Sequence, residues 1–414
     1  MSVLARPGAS LLDAALAERL RASGAFFDAE AERLARCCHA MAERFARGGR
    51  LVAFGGSPAA RSDVRHIAVE FVHPVIVGKR ALPALGLAGE GGPLVRQVEL
   101  AVEEEDIAVA FGDGEQVAAA LGLAAQRGCL TVAFDPASAQ LAGPGAPAPP
   151  PAWSFAPASP DPLVRQEVCE TAYHVLWELV HVFFEHRGLL AGRSERRVHD
   201  SGASSFLYPF LAEQEHDLDA VLADVRRSAL AKAREVGELR AQTLTENRDA
   251  LLAAAAALRA ALDNGGRVLA LGNGGSATDA IDLVADLRFP PDPRWPPRRA
   301  LDLTEDAAIL TAIANDVGVE AIFARQVIAH GRGGDCLLAL STSGGSANVI
   351  AALGEARRRG LTTIALVGYD GGRVLAERLA DHVVVTRSEH IPRIQEAQAS
   401  AYHALRALIE LAGR

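Results

Sequence analysis

The chain has 414 residues, of which 50% are hydrophobic and only 5% aromatic, and its formal net charge is −9. That length holds two domains of ordinary size, and the dominance of Ala, Leu, Val and Gly favours helices packed on a parallel sheet over a β-sandwich. No basic stretch offsets the negative charge, which argues against non-specific nucleic-acid binding. The five cysteines (Cys37, Cys38, Cys129, Cys169 and Cys336) are odd in number, scattered and without CxxC spacing, so they read as reduced core thiols of a cytosolic protein. No basic region followed by a long apolar stretch opens the chain, so no signal peptide is expected. No apolar run reaches the ~20 residues needed to span a membrane.

The predicted elements begin with amphipathic helical patterns from about Leu11 to Ala46. Cys37 and Cys38 fall in this region, their side chains on different faces. A glycine-rich segment follows, Gly48-Gly49-Arg50-Leu51-Val52-Ala53-Phe54-Gly55-Gly56-Ser57. It reads as a strand (Leu51–Phe54), a tight turn and a helix from about Ala60 to Phe71. A strand near Ile107–Phe111, a helix over Gln116–Gln126 and a strand over Cys129–Phe134 continue the βαβ alternation. The Pro- and Ala-rich stretch from Pro136 to Pro162 reads as an irregular surface loop, and a long helix is expected from about Leu163 to Glu185.

Residues 191–209 form the expected linker between a first domain (1–190) and a second (210–414). The second opens with helices from about Phe210 to Ala261. The motif then returns as Gly265-Gly266-Arg267-Val268-Leu269-Ala270-Leu271-Gly272-Asn273-Gly274-Gly275-Ser276. A repeat of this length means two copies of one domain rather than a solenoid. Helix Ala277–Leu287, a Pro-rich loop (289–297), strand Ala300–Leu303 and a helix around Ala307–Ala314 follow. Strand Cys336–Leu340 runs into Ser341-Thr342-Ser343-Gly344-Gly345-Ser346. Helix Ala347–Arg359, strands Thr362–Val367 and His382–Val385, and a final helix from about Pro392 complete the domain, Pro392 suiting a first helical turn.

Two sets of residues carry chemistry. Gly272–Ser276 and Ser341–Ser346 each follow a strand and open a helix, so both turns should face one crevice at the C-terminal edge of a parallel sheet. Their hydroxyls and backbone N–H groups form an uncharged, donor-rich cup of the kind that holds a phosphate monoester. In the first repeat, His66 and Glu70 lie four apart on one helix face, and Gln166 and His174 lie eight apart on another. These four side chains could close around a divalent metal of the zinc type, act as an acid/base pair, or be a solvated helix pair and a core histidine.

The segments Gly-Asn-Gly-Gly-Ser (272–276), Asn315-Asp316, Ser-Thr-Ser-Gly-Gly-Ser-Ala-Asn-Val-Ile (341–350) and Pro-Arg-Ile-Gln-Glu-Ala (392–397) resemble the sugar isomerase (SIS) domain. Within it they resemble the sedoheptulose 7-phosphate isomerases, also called phosphoheptose isomerases. The resemblance covers residues 210 to 414, and residues 10 to 190 look like a diverged copy. It implies an α/β fold of two tandem SIS-type domains, each a parallel sheet flanked by helices in three layers. It implies phosphate and sugar binding by Asn273, Gly274, Ser276, Asp306, Ser341, Thr342, Ser343, Ser346 and Gln395, with no nucleotide cofactor. It also implies a zinc and acid/base set. In the first repeat that set reads His66, Glu70, Gln166 and His174, a full match, with three extra residues between Ser57 and His66. In the second repeat it reads Asp282, Asp286, Gln395 and His403, two of them changed.

The first repeat departs elsewhere: its counterpart of the Ser-rich turn is Phe111-Gly112-Asp113-Gly114-Glu115-Gln116, where Asp113 and Glu115 would repel a phosphate. The resemblance therefore implies a phosphosugar aldose–ketose isomerase. Sedoheptulose 7-phosphate to D-glycero-D-manno-heptose 7-phosphate is the leading reaction, through an enediol, with Glu70 as base and His174 as acid. Complementary loss in the two repeats suggests one site drawing phosphate binding from the second and catalytic groups from the first. A homodimer forming a pseudo-tetramer is expected, since single-domain relatives are tetramers. The competing expectation is a non-catalytic protein that binds a phosphosugar or the bacterial replication initiator. A third is an isomerase for a pentose or hexose phosphate.

Overall fold

The computed structural model describes residues 5–75, 79–88, 92–135, 150–185 and 217–411. The expected linker 191–209 lies outside the described residues, as does the start of the helical region at 210–216. The chain divides into two compact units. One holds the first repeat (residues 22–161 and 165–234); the other holds the second repeat with the chain's opening segment (residues 1–21, 162–164 and 235–414).

The first-repeat unit takes helix α1 (Ala5–Ala46) from residue 22 onward, then β1 (Leu51–Gly55), α2 (Pro58–Val72), β2 (Ala84–Leu87), α3 (Leu94–Ala101), β3 (Ile107–Phe111), α4 (Glu115–Gln126), β4 (Leu130–Phe134), β5 (Trp153–Phe155) and α5 (Pro162–Glu185). The five strands are all parallel, in the order β2-β1-β3-β4-β5. Every residue of β1 and β3 is buried, because helices cover both faces, which is why these strands read as unbroken apolar runs. Val52, Phe54, Val98, Ala110 and Ala120 pack into one of its cores.

The second-repeat unit follows the same plan. Helices α6 (Leu218–Glu246, from residue 235) and α7 (Arg248–Asp263) precede β6 (Val268–Leu271), α8 (Gly275–Arg288), β7 (Ala300–Asp302) and α9 (Ala307–Asp316). A 3-10 turn (Val319–Ala321), α10 (Ile322–His330), β8 (Cys336–Ser341), α11 (Ala347–Arg358), β9 (Thr362–Val367), α12 (Gly372–Ala376), β10 (His382–Val385) and α13 (Ile391–Glu410) complete it. Its strand order, β7-β6-β8-β9-β10, is the first sheet's order repeated. Even the return loops agree: Leu82 N donates to Phe71 O at 2.8 Å, and Arg298 N donates to Leu287 O at 2.6 Å. Two parallel sheets in three layers, one per repeat, are the fold class the motifs implied.

The Gly-Gly-Arg opening of both motifs has a structural cause. A Cβ on Gly49 would overlap the carbonyl of Glu105, and one on Gly266 the carbonyl of Gly334. The arginine that follows latches to the aspartate before the neighbouring strand. Arg50 Nη2 meets Asp106 Oδ2 at 2.7 Å, and Arg267 Nε meets Asp335 Oδ2 at 3.2 Å. The latch lies at the strands' N-terminal ends, so it serves the sheet and not the crevice.

Several elements differ from their sequence readings. β5 lies within the stretch read as an irregular loop, whose residues 136–149 are outside the described ones. Three residues of Trp-Ser-Phe between prolines carry too little periodicity to announce an edge strand. β2, α3, α10 and α12 were not anticipated either, being short elements without strong caps. The helical patterns of Leu11–Ala46 form a single helix. All five cysteines are free and buried, with burial pushing the thiols of Cys38 and Cys169 well above their usual range. Among the described residues no helix is long and apolar enough to cross a membrane.

Candidate active site

The strand order places β1 beside β3 and β6 beside β8, with chain connections leaving in opposite directions. This is the switch point where parallel α/β sheets open a crevice beyond the strands' C-terminal ends. In the second-repeat unit the loops after β6 and β8 meet there. Gly274, at φ +58°, is the N-cap of α8, and Gly344, also at φ +58°, turns the second loop. A side chain at Gly344 would strike the carbonyl of Gly371, so this loop requires glycine on both counts.

The Ser-rich loop is arranged by its own hydroxyls. Ser341 Oγ accepts from Gly344 N at 3.1 Å, and Ser343 Oγ accepts from Gly345 N at 3.2 Å. Ser343 and Ser346 bring their hydroxyls to 3.5 Å. Ser346 is the N-cap of α11 yet makes no side-chain cap bond. The helix's first N–H groups and its positive dipole end therefore face the loop without a protein acceptor from the cap residue. Ser343 is exposed, Thr342 and Ser346 are half-buried, and Ser276 and Ser341 are buried. Asn273 and Asn348 exchange two amide hydrogen bonds, at 3.0 and 2.9 Å, and so tie the two loops together. Asp306 is exposed and caps α9, accepting from Ala308 N at 2.9 Å and Ile309 N at 3.0 Å.

In the same unit, α8 presents Asp282 and Asp286 to α13. His403 Nε2 lies 3.1 Å from Asp282 Oδ2 and 3.5 Å from Asp286 Oδ2. Tyr402 donates its hydroxyl to Asp282 Oδ2 at 2.8 Å. All three acid/base groups are buried and converge closely enough to share one ion. Gln395 packs its amide against Gly275, where any Cβ would overlap it. Among the described residues nothing hydrogen-bonds its buried Oε1.

In the first-repeat unit the same helices bring His66, Glu70 and His174 together, all buried and within sharing distance of one ion. The imidazole Nε2 atoms of His66 and His174 stand 3.2 Å apart, and Glu70 Oε1 lies 3.9 Å from His66 Nε2. Tyr173 donates to Asp63 Oδ1 at 3.3 Å and meets His66 Nδ1 at 3.1 Å. A carboxylate only accepts, so the single phenolic proton goes to Asp63 and His66 Nδ1–H donates to the Tyr173 oxygen. That fixes the tautomer with the Nε2 lone pair directed at the cluster, the orientation a metal-binding histidine needs. Burial, aided by His174, holds His66 well below its usual pKa, so it is a neutral donor. Gln166 turns its amide nitrogen to Ser62 Oγ at 3.3 Å and Asp63 Oδ2 at 3.4 Å. Two imidazoles and a carboxylate are a donor set suited to zinc, and the second-repeat set, two carboxylates and an imidazole, suits a divalent cation as well.

The loops of the first repeat cannot cradle an anion in the same way. Ser57 spends its hydroxyl on capping α2, accepting from Ala60 N at 3.0 Å, and Pro58 supplies no N–H at the next position. The loop after β3 carries exposed Asp113 and Glu115, with Gly114 as a cap that has no side chain to offer. Sequence reasoning missed three contributors. Asn348 stood in the motif but its partner Asn273 lies 75 residues away; Tyr173 and Tyr402 were signalled only by the Tyr-His pair that recurs in both repeats.

Residues 233–368 match the family model described as SIS domain, and the chain belongs to that family. Its relatives there are phosphoheptose isomerases. That of Pelodictyon phaeoclathratiforme is 42% identical over 42% of this chain and 82% of its own length. That of Rhodospirillum rubrum is 44% identical over 39% of this chain and 85% of its own length. The C-terminal domain of glucosamine-fructose-6-phosphate aminotransferase from Francisella tularensis shares the fold, with a TM-score of 0.57 over 95% of this chain and 93% of that one at 10% identity.

Proposed function

We propose that the protein is a phosphosugar aldose–ketose isomerase, with sedoheptulose 7-phosphate its preferred substrate and D-glycero-D-manno-heptose 7-phosphate the product. The observation that carries this reading is the second-repeat unit, which holds both an uncharged serine cup and a buried carboxylate–imidazole set. The relatives' printed activity supports the same chemistry.

The reaction moves a proton between C1 and C2 through an enediol, so one group must take a proton from carbon and another must serve the oxygens. Ser341, Thr342, Ser343 and Ser346, with the N–H groups of α11, hold the phosphate. Ser276 and Gln395 are assigned to the same binding site, and Asp306 to the sugar. Remote phosphate binding positions the reacting carbons without itself reacting. Two sets can carry the proton: Glu70 as base with His174 as acid, or their counterparts Asp286 and His403. His66, Glu70, Gln166 and His174 would hold zinc in the first repeat, and Asp282, Asp286, Gln395 and His403 a divalent cation in the second. Such an ion polarises a substrate carbonyl.

The test is an isomerase assay on sedoheptulose 7-phosphate, with and without zinc, comparing wild type, Glu70→Gln and Asp286→Asn. Turnover lost in Glu70→Gln alone assigns the chemistry to the first repeat; loss in Asp286→Asn alone assigns it to the second. A wild type that binds the sugar phosphate but never turns it over replaces this reading with a binding protein. The observation favouring that alternative is the split itself, since each repeat departs from the family's full set.

A further inference from the structure

The return loop and the last helix of each unit hold a cation–π pair, and its two members have exchanged places between repeats. In the second-repeat unit, Arg406 on α13 stacks 4.6 Å from the centre of the Trp295 ring, which lies on the loop after α8. In the first-repeat unit, Lys79 on the loop sits 5.6 Å from the centre of the Trp177 ring, which lies on α5. The positions correspond. Trp295 and Lys79 each stand three residues before the amide that bonds the helix end. Arg406 and Trp177 each stand three residues after the cluster's histidine.

The exchange changes what the cation does. Lys79 donates to Glu178 O at 2.6 Å, within its own side of the fold on α5. Arg406 instead donates Nε to Asp286 O at 3.0 Å. It is completely buried and is held by Glu410, whose carboxylate also accepts from Arg298 at 2.9 and 3.0 Å. Asp286 lies in the last turn of α8, where carbonyls lack helical partners and a cation is favoured. Arg406 thus ties the end of α8, which carries the acidic side chain, to α13, which carries His403.

Where the first repeat has Glu70, the second has the shorter Asp286. The shorter side chain nevertheless reaches the histidine of the last helix: Asp286 Oδ2 lies 3.5 Å from His403 Nε2. We propose that Arg406 is a positioning residue that compensates for the shortened carboxylate by drawing the Asp286 turn onto α13, so that Asp282, Asp286 and His403 form a working cluster. The inference rests on the second-repeat site described above and not on which sugar it turns over.

The experiment measures Co2+ affinity by calorimetry in a full-length parent carrying His66→Ala and His174→Ala, which leaves the second-repeat cluster as the binding set. Arg406→Met keeps the packing volume and removes the tie; it is expected to weaken Co2+ binding about tenfold, the usual scale for a residue that orients a ligand. Adding Asp286→Glu to Arg406→Met restores the affinity, whereas Asp286→Glu with Arg406 intact lowers it, because the tied turn is set for the shorter acid. Inorganic phosphate affinity stays at the parent value throughout. Unchanged Co2+ affinity in Arg406→Met, or no recovery in the double variant, overturns the proposal. Should Arg406→Met not fold, a gain in affinity from Asp286→Glu alone overturns it equally. If the Co2+ cycle behaves as expected while wild type leaves every sugar phosphate unchanged, the isomerase reading fails and the positioning role stands.

Discussion

The two repeats share strand order, return-loop bonds and an Arg–Asp latch, yet they differ in the residues that face their crevices. The second repeat retains open hydroxyls and helix N–H groups beyond β8, with Asp282 and Asp286 where the first has His66 and Glu70. The first retains the imidazole–carboxylate set but fills its loops with a capping serine, a proline and two acids. What holds the fold together was duplicated and preserved in both; what meets a ligand diverged. The latch explains why: Arg50–Asp106 and Arg267–Asp335 pin buried strand starts, where any change strands a charge, whereas loop tips tolerate substitution.

The largest effect that would sharpen this contrast comes from glycine. Gly344→Val places a side chain against the Gly371 carbonyl at a positive φ, and it should raise KM for a sugar phosphate by about 100-fold, equivalent to roughly 3 kcal/mol. Gly112→Ala, at φ +75° but with open space around it, should cost about 1–2 kcal/mol of stability and leave KM unchanged. Steady-state kinetics and thermal melts of the two variants check this. Equal KM values would break the assignment of phosphate to the second repeat.

Acid should separate the units next. Burial keeps His66 well below its ordinary pKa, and burial with the nearby Lys79 charge takes His181 down to about 4, against the pull of the Arg80 and Trp177 carbonyls. A histidine whose folded pKa is depressed gives full stability above the unfolded value near 6.5. Below that the unfolded chain binds the proton first, and stability falls by about 1.4 kcal/mol per pH unit per group until the folded pKa is reached. Glu410, which takes the place of His181 in the second repeat, behaves differently. Burial pushes it up, but Arg298 and Arg406 prevail and hold it below the usual carboxylate range. Its contribution is present above the unfolded value near 4.5 and is lost only as pH drops further. The fluorescence of Trp153 and Trp177 should therefore change below about pH 6.5, and that of Trp295 only below about pH 4.5. Single-tryptophan variants read the two transitions, and one shared midpoint would sink the expectation.

Much of this site was legible in the residues. The Ser-rich turn and the Gly-Asn-Gly-Gly-Ser turn announce their own geometry, since small residues between an apolar run and a helical pattern allow few other structures. The pairing of His66 with Glu70 follows from helical spacing, and that of Asp282 with Asp286 from the family resemblance. Asn348, Tyr173 and Arg406 were not legible, because their work depends on partners 75 to 120 residues distant that no local pattern announces. The edge strand β5 escaped for the opposite reason: three residues cannot show a period. The Gly-Gly-Arg stretch carried no reading of its own; its glycines serve close backbone approach at the N-terminal end of the strand.

Asn348→Ala probes the link between the loops. It removes both amide bonds to Asn273 and leaves that partner's amide with only solvent, so phosphate affinity should fall about five- to thirtyfold, on the order of 1–2 kcal/mol. Isothermal titration with inorganic phosphate measures it. An unchanged affinity would mean that the loops hold their positions without the pair, and that Asn273 meets the ligand on its own account.

The smallest effects test two serines that head helices, one in each repeat. Ser57 accepts from Ala60 N, so Ser57→Ala should destabilise the first-repeat unit by about 1 kcal/mol, the usual worth of a helix cap, with no effect on KM. Ser346 heads α11 without capping it, so Ser346→Ala should leave the melting temperature within error of wild type. If its hydroxyl beside Ser343 meets the anion, as proposed, its loss should weaken phosphate binding about tenfold, as a hydrogen bond to a charged group does. The two substitutions are chemically identical and each removes the serine that starts a helix, so the pair isolates use from architecture. If Ser346→Ala lowers stability as much as Ser57→Ala does while phosphate binding is untouched, both serines are caps, and the assignment of phosphate to the second repeat loses this support.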